Sequence, residues 1–481
     1  MRLVPVAMVS ALCLAGCMKV GPDYQAPKLP IAKQWATPVS ASATTQQSLQ
    51  TWWQQFNDAE LNRLVNDALL ANLDLRQSLI KIKDLRAQRA SIFADALPEV
   101  SAKSNISRRY NNSAGAAQSG ANQGGGFGIG NNLTTIFQSG FDAQWELDFF
   151  GGVQRALEAA DATIASEQEN SRAVQVTLLA EVARYYLQLR QNQQLLAITE
   201  SNLQSQLQTW QLLQVRQQAG FTSQLEASQA EAQAAETQAQ LPLYQIQIQQ
   251  AIHALSVLLA KQPQDLANRL LNAADIPEPK SAIWPDLPSE LLLRRPDIRR
   301  AERQLAAATA NIGVATSALY PKLNLTAFLG LQNMKITDAT PIGKSWSTAA
   351  SLSMPLFNWG KLSANIDSKK AQAEQLGLAY QAAVLVAFKE VEDALVAYNQ
   401  EQQRRQALQQ AVAANQLAVS LAQERYQKGL TGFLDVLLSQ HALYQAQTKL
   451  VNSKAAVSAD LVGLYKALGG GWQASAVLSQ R

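Results

Sequence analysis

The sequence predicts a mainly α-helical, internally duplicated chain that combines long helical hairpins with four amphipathic strands of the membrane-barrel kind. Three observations carry this. The stretch 425–435, Arg-Tyr-Gln-Lys-Gly-Leu-Thr-Gly-Phe-Leu-Asp, repeats the grammar of 216–226, Arg-Gln-Gln-Ala-Gly-Phe-Thr-Ser-Gln-Leu-Glu. Gly429 follows Gly220 by 209 positions, and Arg425/Arg216, Thr431/Thr222, Leu434/Leu225 and Asp435/Glu226 keep that separation. Before each of these stretches lies a long segment free of proline, and before each long segment the hydrophobic period drops to two.

Composition narrows the function classes. Charged residues are 16% and the net charge is +4 over 481 residues, with no clustered Lys/Arg stripe, so no nucleic-acid partner is expected. Gln and Ala are abundant, as suits long helices with weakly charged polar faces.

The chain starts with Met1-Arg2 and an apolar run from Leu3 to Ala15, too short to span a bilayer and typical of an export signal. It ends Leu14-Ala15-Gly16-Cys17, which resembles a bacterial lipoprotein cleavage box. On that reading residues 1–16 are removed and Cys17 becomes the lipidated first residue, the only covalent lipid or cofactor expected. An ordinary signal with an incidental Cys is the alternative. Cys13 is the poorer candidate, because Leu12 precedes it. Met18 rather than Asp after the Cys points to the outer membrane. Residues 17–57 then read as an extended Pro/Ser/Ala/Thr-rich arm ending in Trp52, Trp53 and Phe56, aromatics expected to pack on the body.

The first repeat is placed at 58–260. It opens with a helix from Asp58 to Ala96, where Leu61, Leu64, Val65, Ala68 and Leu69 follow helical spacing. Its counterpart, Pro288 to Leu319, contains Arg294-Arg295-Pro296-Asp297-Ile298, and Pro98 and Pro321 close the two helices 223 positions apart. After each proline the period becomes two. Phe137, Phe141, Ala143 and Trp145 alternate with Gln138, Gly140, Asp142 and Gln144 in the strand pair at about 98–148, and Val100 to Tyr110 is a weaker strand. Leu323, Leu325, Ala327 and Leu329, then Trp346 to Leu356, repeat the pattern at about 321–357. The links, about 111–132 and 332–345, absorb the 14-residue difference between the two separations (223 − 209).

Such strands resemble those of outer-membrane barrels, although a soluble sandwich shows the same alternation. Four strands cannot close a barrel, and open edges are not tolerated in lipid, so several chains must share one. Glycine turns, Gly151-Gly152 and Gly360, lead into helices expected at Gln154–Gln218 and Leu362–Lys428, each about 100 Å long at 1.5 Å per residue. Leu178, Val182, Tyr185, Leu189, Leu196 and Leu203 give the spacing that paired helices need. The return helices, about 223–260 and 433–468, are shorter, and Pro242 is expected to loosen the first locally. At the tips, Gly220 and Gly429 suit a left-handed helix stop and Thr431 a helix cap. Residues 261–287 form a Pro-rich connector, 288–468 the second repeat, and 469–481 a tail joining the connector in a belt.

Catalytic chemistry is missing. The two histidines, His253 and His441, lie in expected helices, and with Cys13 removed and Cys17 acylated no free thiol accompanies them, nor does a phosphate-cradling loop. Glu390, Glu392 and Asp393 read as a solvated helix face rather than a catalytic pair. No enzyme, metal or cofactor is expected.

Leu14-Ala15-Gly16-Cys17, Val20-Gly21-Pro22-Asp23-Tyr24, Trp52-Trp53-Gln54-Gln55-Phe56, Arg294-Arg295-Pro296-Asp297-Ile298 and the Gly429 tip together resemble the TolC-like outer membrane factor family, in its lipoprotein branch. The resemblance implies a homotrimer with a shared twelve-stranded barrel in the outer membrane and an α-helical tunnel through the periplasm. It implies docking on a periplasmic adaptor and an inner-membrane pump through tips that include Arg216, Gly220, Thr222, Arg425, Gly429 and Thr431. The function implied is a passive exit duct for drugs and other small toxic compounds. Alternatives are the outlet of a polypeptide secretion system and a non-conducting structural lipoprotein.

The resemblance also implies gate residues. Tyr426 matches a tyrosine that links the second hairpin to an acid on the first, where Glu226 stands. Asp435 matches the upper of two acidic rings at the constriction. The second acidic position is Leu438 here, which puts a double ring in doubt and suggests one carboxylate ring with an apolar constriction.

Overall fold

A computed structural model describes residues 19–27, 29–30, 34–37, 49–111, 132–279, 294–335 and 343–472. The expected signal peptide, Cys17, both strand links and most of the tail lie outside these. The chain divides into two compact units. The first holds residues 1–27, 83–165 and 303–377, and the second holds 28–82, 166–302 and 378–481.

In the first unit, β1 (Glu99–Asn111), β2 (Asn132–Leu147), β3 (Lys322–Lys335) and β4 (Gly343–Ser353) form one antiparallel sheet in the order β1-β2-β3-β4. The hairpin of each repeat is thus joined to the other through β2 and β3. The register aligns Ala102, Phe141, Leu329 and Trp346 across all four strands. On this face Phe141, Leu329 and Trp346 are exposed, as alternation with one apolar face predicts. The opposite face carries Ser101, Asp142 and Ser347 in register with Phe328. Phe328 is buried there because its ring lies where side chains of Gly140 and Gly330 would otherwise stand. Among the described residues nothing pairs with the outer edges of β1 and β4.

The expected fourth strand reached Leu356, but β4 stops at Ser353. Pro355 has no N–H for a ladder, and it biases Met354 as well.

The remaining elements are helical. The expected single helix from Asp58 to Ala96 is two, α1 (Ala59–Ala71) and α2 (Leu73–Ala94). Asn72 divides them. Its ψ of 131° leaves the helical region, its Oδ1 accepts from Leu75 N–H (2.9 Å), and its Nδ2 donates to the Leu258 carbonyl (2.9 Å). Asp58 caps α1 by accepting from Leu61 N–H and also receives the Tyr186 hydroxyl, both at 2.8 Å.

Then follow α3 (Gly152–Gln218), α4 (Gln224–Leu258), α5 (Pro263–Leu270), α6 (Pro296–Ser317), α7 (Lys361–Gln427) and α8 (Phe433–Ala467). The short α5 falls in the connector and was not expected. Pro263 supplies its fixed φ at the first position, and Asp265 accepts from Gln262 N–H. α6 begins at Pro296, proline being tolerated at a helix start, and the earlier part of the expected helix, 288–293, lies outside the described residues. α4 continues through Pro242.

The second unit owns the main core. Trp52, Leu61, Leu179, Tyr186, Ile252 and Tyr465 are fully buried, and Trp52 lies 5.2 Å from Tyr465 between ring centroids. The aromatics at the end of the arm therefore pack, as expected. Leu178, Val182 and Leu189 of the α3 stripe are buried, with Tyr185, Leu196 and Leu203 half-buried.

The solvated-face expectation for Glu390 and Glu392 is corrected. Glu390 pairs with Arg295 (2.7 Å), and Glu392 accepts from Ala36 N–H (2.6 Å) and the Thr37 hydroxyl (2.7 Å). Two carboxylates two positions apart on one helix were recruited to different partners, a cation and an arm, both far away in sequence. Among the described residues Asp393 pairs with Lys389. At the other end of the chain, the guanidinium groups of Arg172 and Arg299 lie 4.6 and 5.5 Å from the Trp472 ring centroid.

Candidate functional site: the paired hairpin tips

The tips lie in the second unit, where α3 turns into α4 and α7 into α8. At the first, Gly220 has φ +76°, its N–H donates to the Gln217 carbonyl, and Phe221 N–H donates to the Arg216 carbonyl (3.0 and 2.8 Å). At the second, Gly429 has φ +70°, with matching bonds to Tyr426 and from Leu430 to Arg425 (3.0 and 2.9 Å). Both are Schellman stops, and glycine is needed for the backbone angle rather than for space.

The helices after the stops start differently. Ser223, not Thr222, caps α4 by accepting from Glu226 N–H, and the Thr222 hydroxyl binds the Glu226 carboxylate. The expectation that Thr431 caps α8 is not met. Gly432 holds the cap position with no side chain to offer, and the Thr431 hydroxyl one residue earlier is buried without a hydrogen-bond partner among the described residues. Asp435 is then the acid of the first turn, where its charge complements the helix dipole.

The two tips pack on one another. Tyr426 meets Phe433 edge to face at 5.7 Å, and the Arg216 guanidinium lies 5.3 Å from the Tyr426 ring centroid. Leu213, Ala230, Phe433 and Val436 are buried beneath them. Leu434, Asp435 and Leu438 form the outward face of the same helix turn, with Leu438 58% exposed. On the first hairpin Phe221 and Leu225 are also exposed. Arg425 contributes its carbonyl to the stop and keeps its side chain exposed.

Of the expected gate residues, the structure joins Tyr426 to Arg216. It leaves Asp435 and Leu438 on an open face and keeps Glu226 with Thr222. No hydrogen bond joins Tyr426 to Glu226 within the chain. Phe433 was missed, and the repeat comparison hid it: 209 positions earlier stands Gln224, which has no ring to pack.

Among the described residues no helix is long and apolar enough to cross a membrane, and no three His, Cys, Asp or Glu side chains gather as metal ligands.

Residues 64–261 and 287–470, the two repeats, match the family model described as outer membrane efflux protein. The chain belongs to this family. The antibiotic efflux pump outer membrane protein ArpC of Pseudomonas putida is 35% identical over 471 residues, covering 96% of this chain and 94% of that protein. The cation efflux system protein CusC of Escherichia coli is 30% identical, covering 98% and 99%. Among solved structures, the outer-membrane channel OprN superposes with a TM-score of 0.84 at 32% identity, covering 94% of this chain and 99% of that one. As an outer membrane efflux protein the chain is a channel of the outer membrane and not an enzyme. Its four strands contribute to a barrel and its long helices to a tunnel.

Proposed function

We propose that three copies of this chain close a twelve-stranded barrel and form the passive exit duct of a tripartite efflux system. The observation that carries this is the sheet: two open edges and an exposed apolar face are compatible with lipid only if the edges are paired by further copies. An acyl chain on Cys17 anchors the arm to the outer membrane, and the hairpin tips dock on a periplasmic adaptor that joins the duct to an inner-membrane pump. The relatives carry names of antibiotic, toluene, cation and pyoverdine export, so small compounds rather than polypeptides are the proposed cargo.

At the narrow end, the outward turn Leu434-Asp435-Leu438 faces the axis. Three Asp435 carboxylates form a cation-attracting ring, with Leu438 as an apolar collar one turn further. Tyr426 and Glu226 serve as the latch between hairpins in the assembled, closed duct. Native mass spectrometry of the purified protein tests the stoichiometry, and a mass other than three chains would sink it. Single-channel recording in planar bilayers tests the duct. Silence from a membrane-inserted trimer whose tips have been mutated to open would leave the structural reading.

A further inference from the structure

The segment Val20-Gly21-Pro22-Asp23-Tyr24 is used by none of the channel functions above, yet it is tightly held. Arg155, on the first turn of α3, is only 1% exposed. Its Nε donates to the Val20 carbonyl (2.9 Å) and its Nη2 to the Gly21 carbonyl (2.8 Å), while Nη1 reaches Asp23 (3.0 Å) and Glu158 (2.9 Å). Lys19 bridges the same two acids at 3.1 and 3.2 Å, and Val20 N–H donates to the Phe150 carbonyl (3.3 Å). Such charge-assisted bonds are the strong ones, and every polar group of the buried guanidinium is occupied.

Two glycines make room for this arrangement. A methyl on Gly313 of α6 would come within 2.7 Å of Arg155 Cγ and Nε. Gly21 has φ +84°, and a methyl there would come within 2.5 Å of the Gly313 Cα, which is backbone and cannot step aside. Lys19 in turn lies on Gly151, in the turn between β2 and α3. Phe149 of that turn is exposed and Phe150 stacks on Tyr320 at 4.7 Å, the aromatic character of a membrane–water boundary.

We infer that Arg155 and Gly313 form a seat that fixes the lipid-bearing arm to the foot of β2, so that acyl chains on Cys17 enter the membrane beside the β2–α3 turn. One residue, Met18, lies between Cys17 and Lys19, so their Cα atoms are at most about 7 Å apart. The arm is therefore held from Lys19 onward. Arg155 is its positioning residue, and Gly21 and Gly313 are the shape that lets it act. This rests on the acylation of Cys17 proposed above.

The test uses the full-length lipoprotein carrying Lys28→Gln and Lys33→Gln, which leaves Lys19 as the only lysine between Cys17 and Lys81. Endoproteinase Lys-C is added to the folded protein, and intact mass reports loss of the acylated residues 17–19. The parent should resist. Arg155→Met and Gly21→Ala should each be cut about tenfold faster or more, because cleavage tracks the fraction of time the arm is off its seat. Gly21→Ala alters only the arm, so it decides the matter even if Arg155→Met fails to fold. A photocrosslinking side chain at Phe149 should capture the acylated residues 17–19 in the parent and lose them in Gly21→Ala. Equal cutting of parent and Gly21→Ala, with acyl mass present, would overturn the seat. A parent without acyl mass would instead overturn the lipid reading.

Discussion

The guanidinium of Arg216, in the last turn of α3, lies 5.3 Å from the ring centroid of Tyr426, in the last turn of α7. The two residues come from different repeats, and their contact ties one hairpin tip to the other. Cation–π contacts at such sites contribute about 0.5–1 kcal/mol. Arg216→Gln should therefore favour separated tips by roughly two- to fivefold, read as a larger open fraction in single-channel recordings. Unchanged opening would show that this contact does not hold the tips.

Tyr426→Phe probes the hydroxyl alone, because phenylalanine keeps both the ring above Phe433 and the face beneath Arg216. If the hydroxyl latches the closed duct, losing a hydrogen bond of about 1 kcal/mol should raise the open fraction roughly fivefold. A Phe variant that gates like the parent would remove the latch and leave the Arg216 contact standing.

Asp435 is exposed on the outward face of α8 beside Leu434 and Leu438. Asp435→Ala should abolish cation preference, measured as the reversal potential across a salt gradient, while the channel still conducts. Retained preference would place the selecting charge elsewhere.

The buried Arg295 pairs with Asp297, whose side chain is 36% exposed, with Nη2 2.6 Å from Oδ2. Burial by itself would raise the Asp297 carboxyl, but the hydrogen bonds and charge of Arg295 outweigh it and hold the carboxyl below the usual range. A depressed folded value means that the stabilisation is fully present above the unfolded carboxylate range, near pH 4, and is lost as pH falls through the folded value. Asp297→Asn should cost about 1 kcal/mol or less at pH 7, since solvent screens a carboxylate this exposed, measured by denaturant unfolding, and the difference from the parent should vanish in strong acid.

Asp460 has the opposite sign. Burial, and then the nearby Glu401, raise its carboxyl above the usual range. Its ionised form therefore burdens the folded state, and the burden grows as pH rises through the folded value. Asp460→Asn should raise the melting temperature at pH 7.5 and leave it nearly unchanged at pH 3. A lower melting temperature at pH 7.5 would mean that the carboxylate has a favourable partner in the assembled protein.

The elements were largely legible in the sequence. Periodicity and the duplicated glycines placed the long helices and the tips within a few residues, because a Schellman stop needs a left-handed residue and little else. The break at Asn72 was not legible, since its second partner, the Leu258 carbonyl, lies 186 positions away. Nor was the start of α8 at Gly432, where the repeat suggested a threonine cap. Local grammar cannot tell which of two adjacent positions leaves the helix when packing of Phe433 fixes the entry angle.

The sequence by itself determined the duplication, the four strands and the two long hairpins, which follow from periodic burial and backbone stereochemistry, while membership of the channel family rests on its motifs and on the family match. Only the tertiary structure decided partners. It gave Glu390 to Arg295, Glu392 to the arm, Arg216 to Tyr426 and Arg155 to the Val20 and Gly21 carbonyls. Charged side chains on a helix surface are equivalent to a one-dimensional pattern. Distance and desolvation separate them, and both are set only when segments far apart in the chain meet.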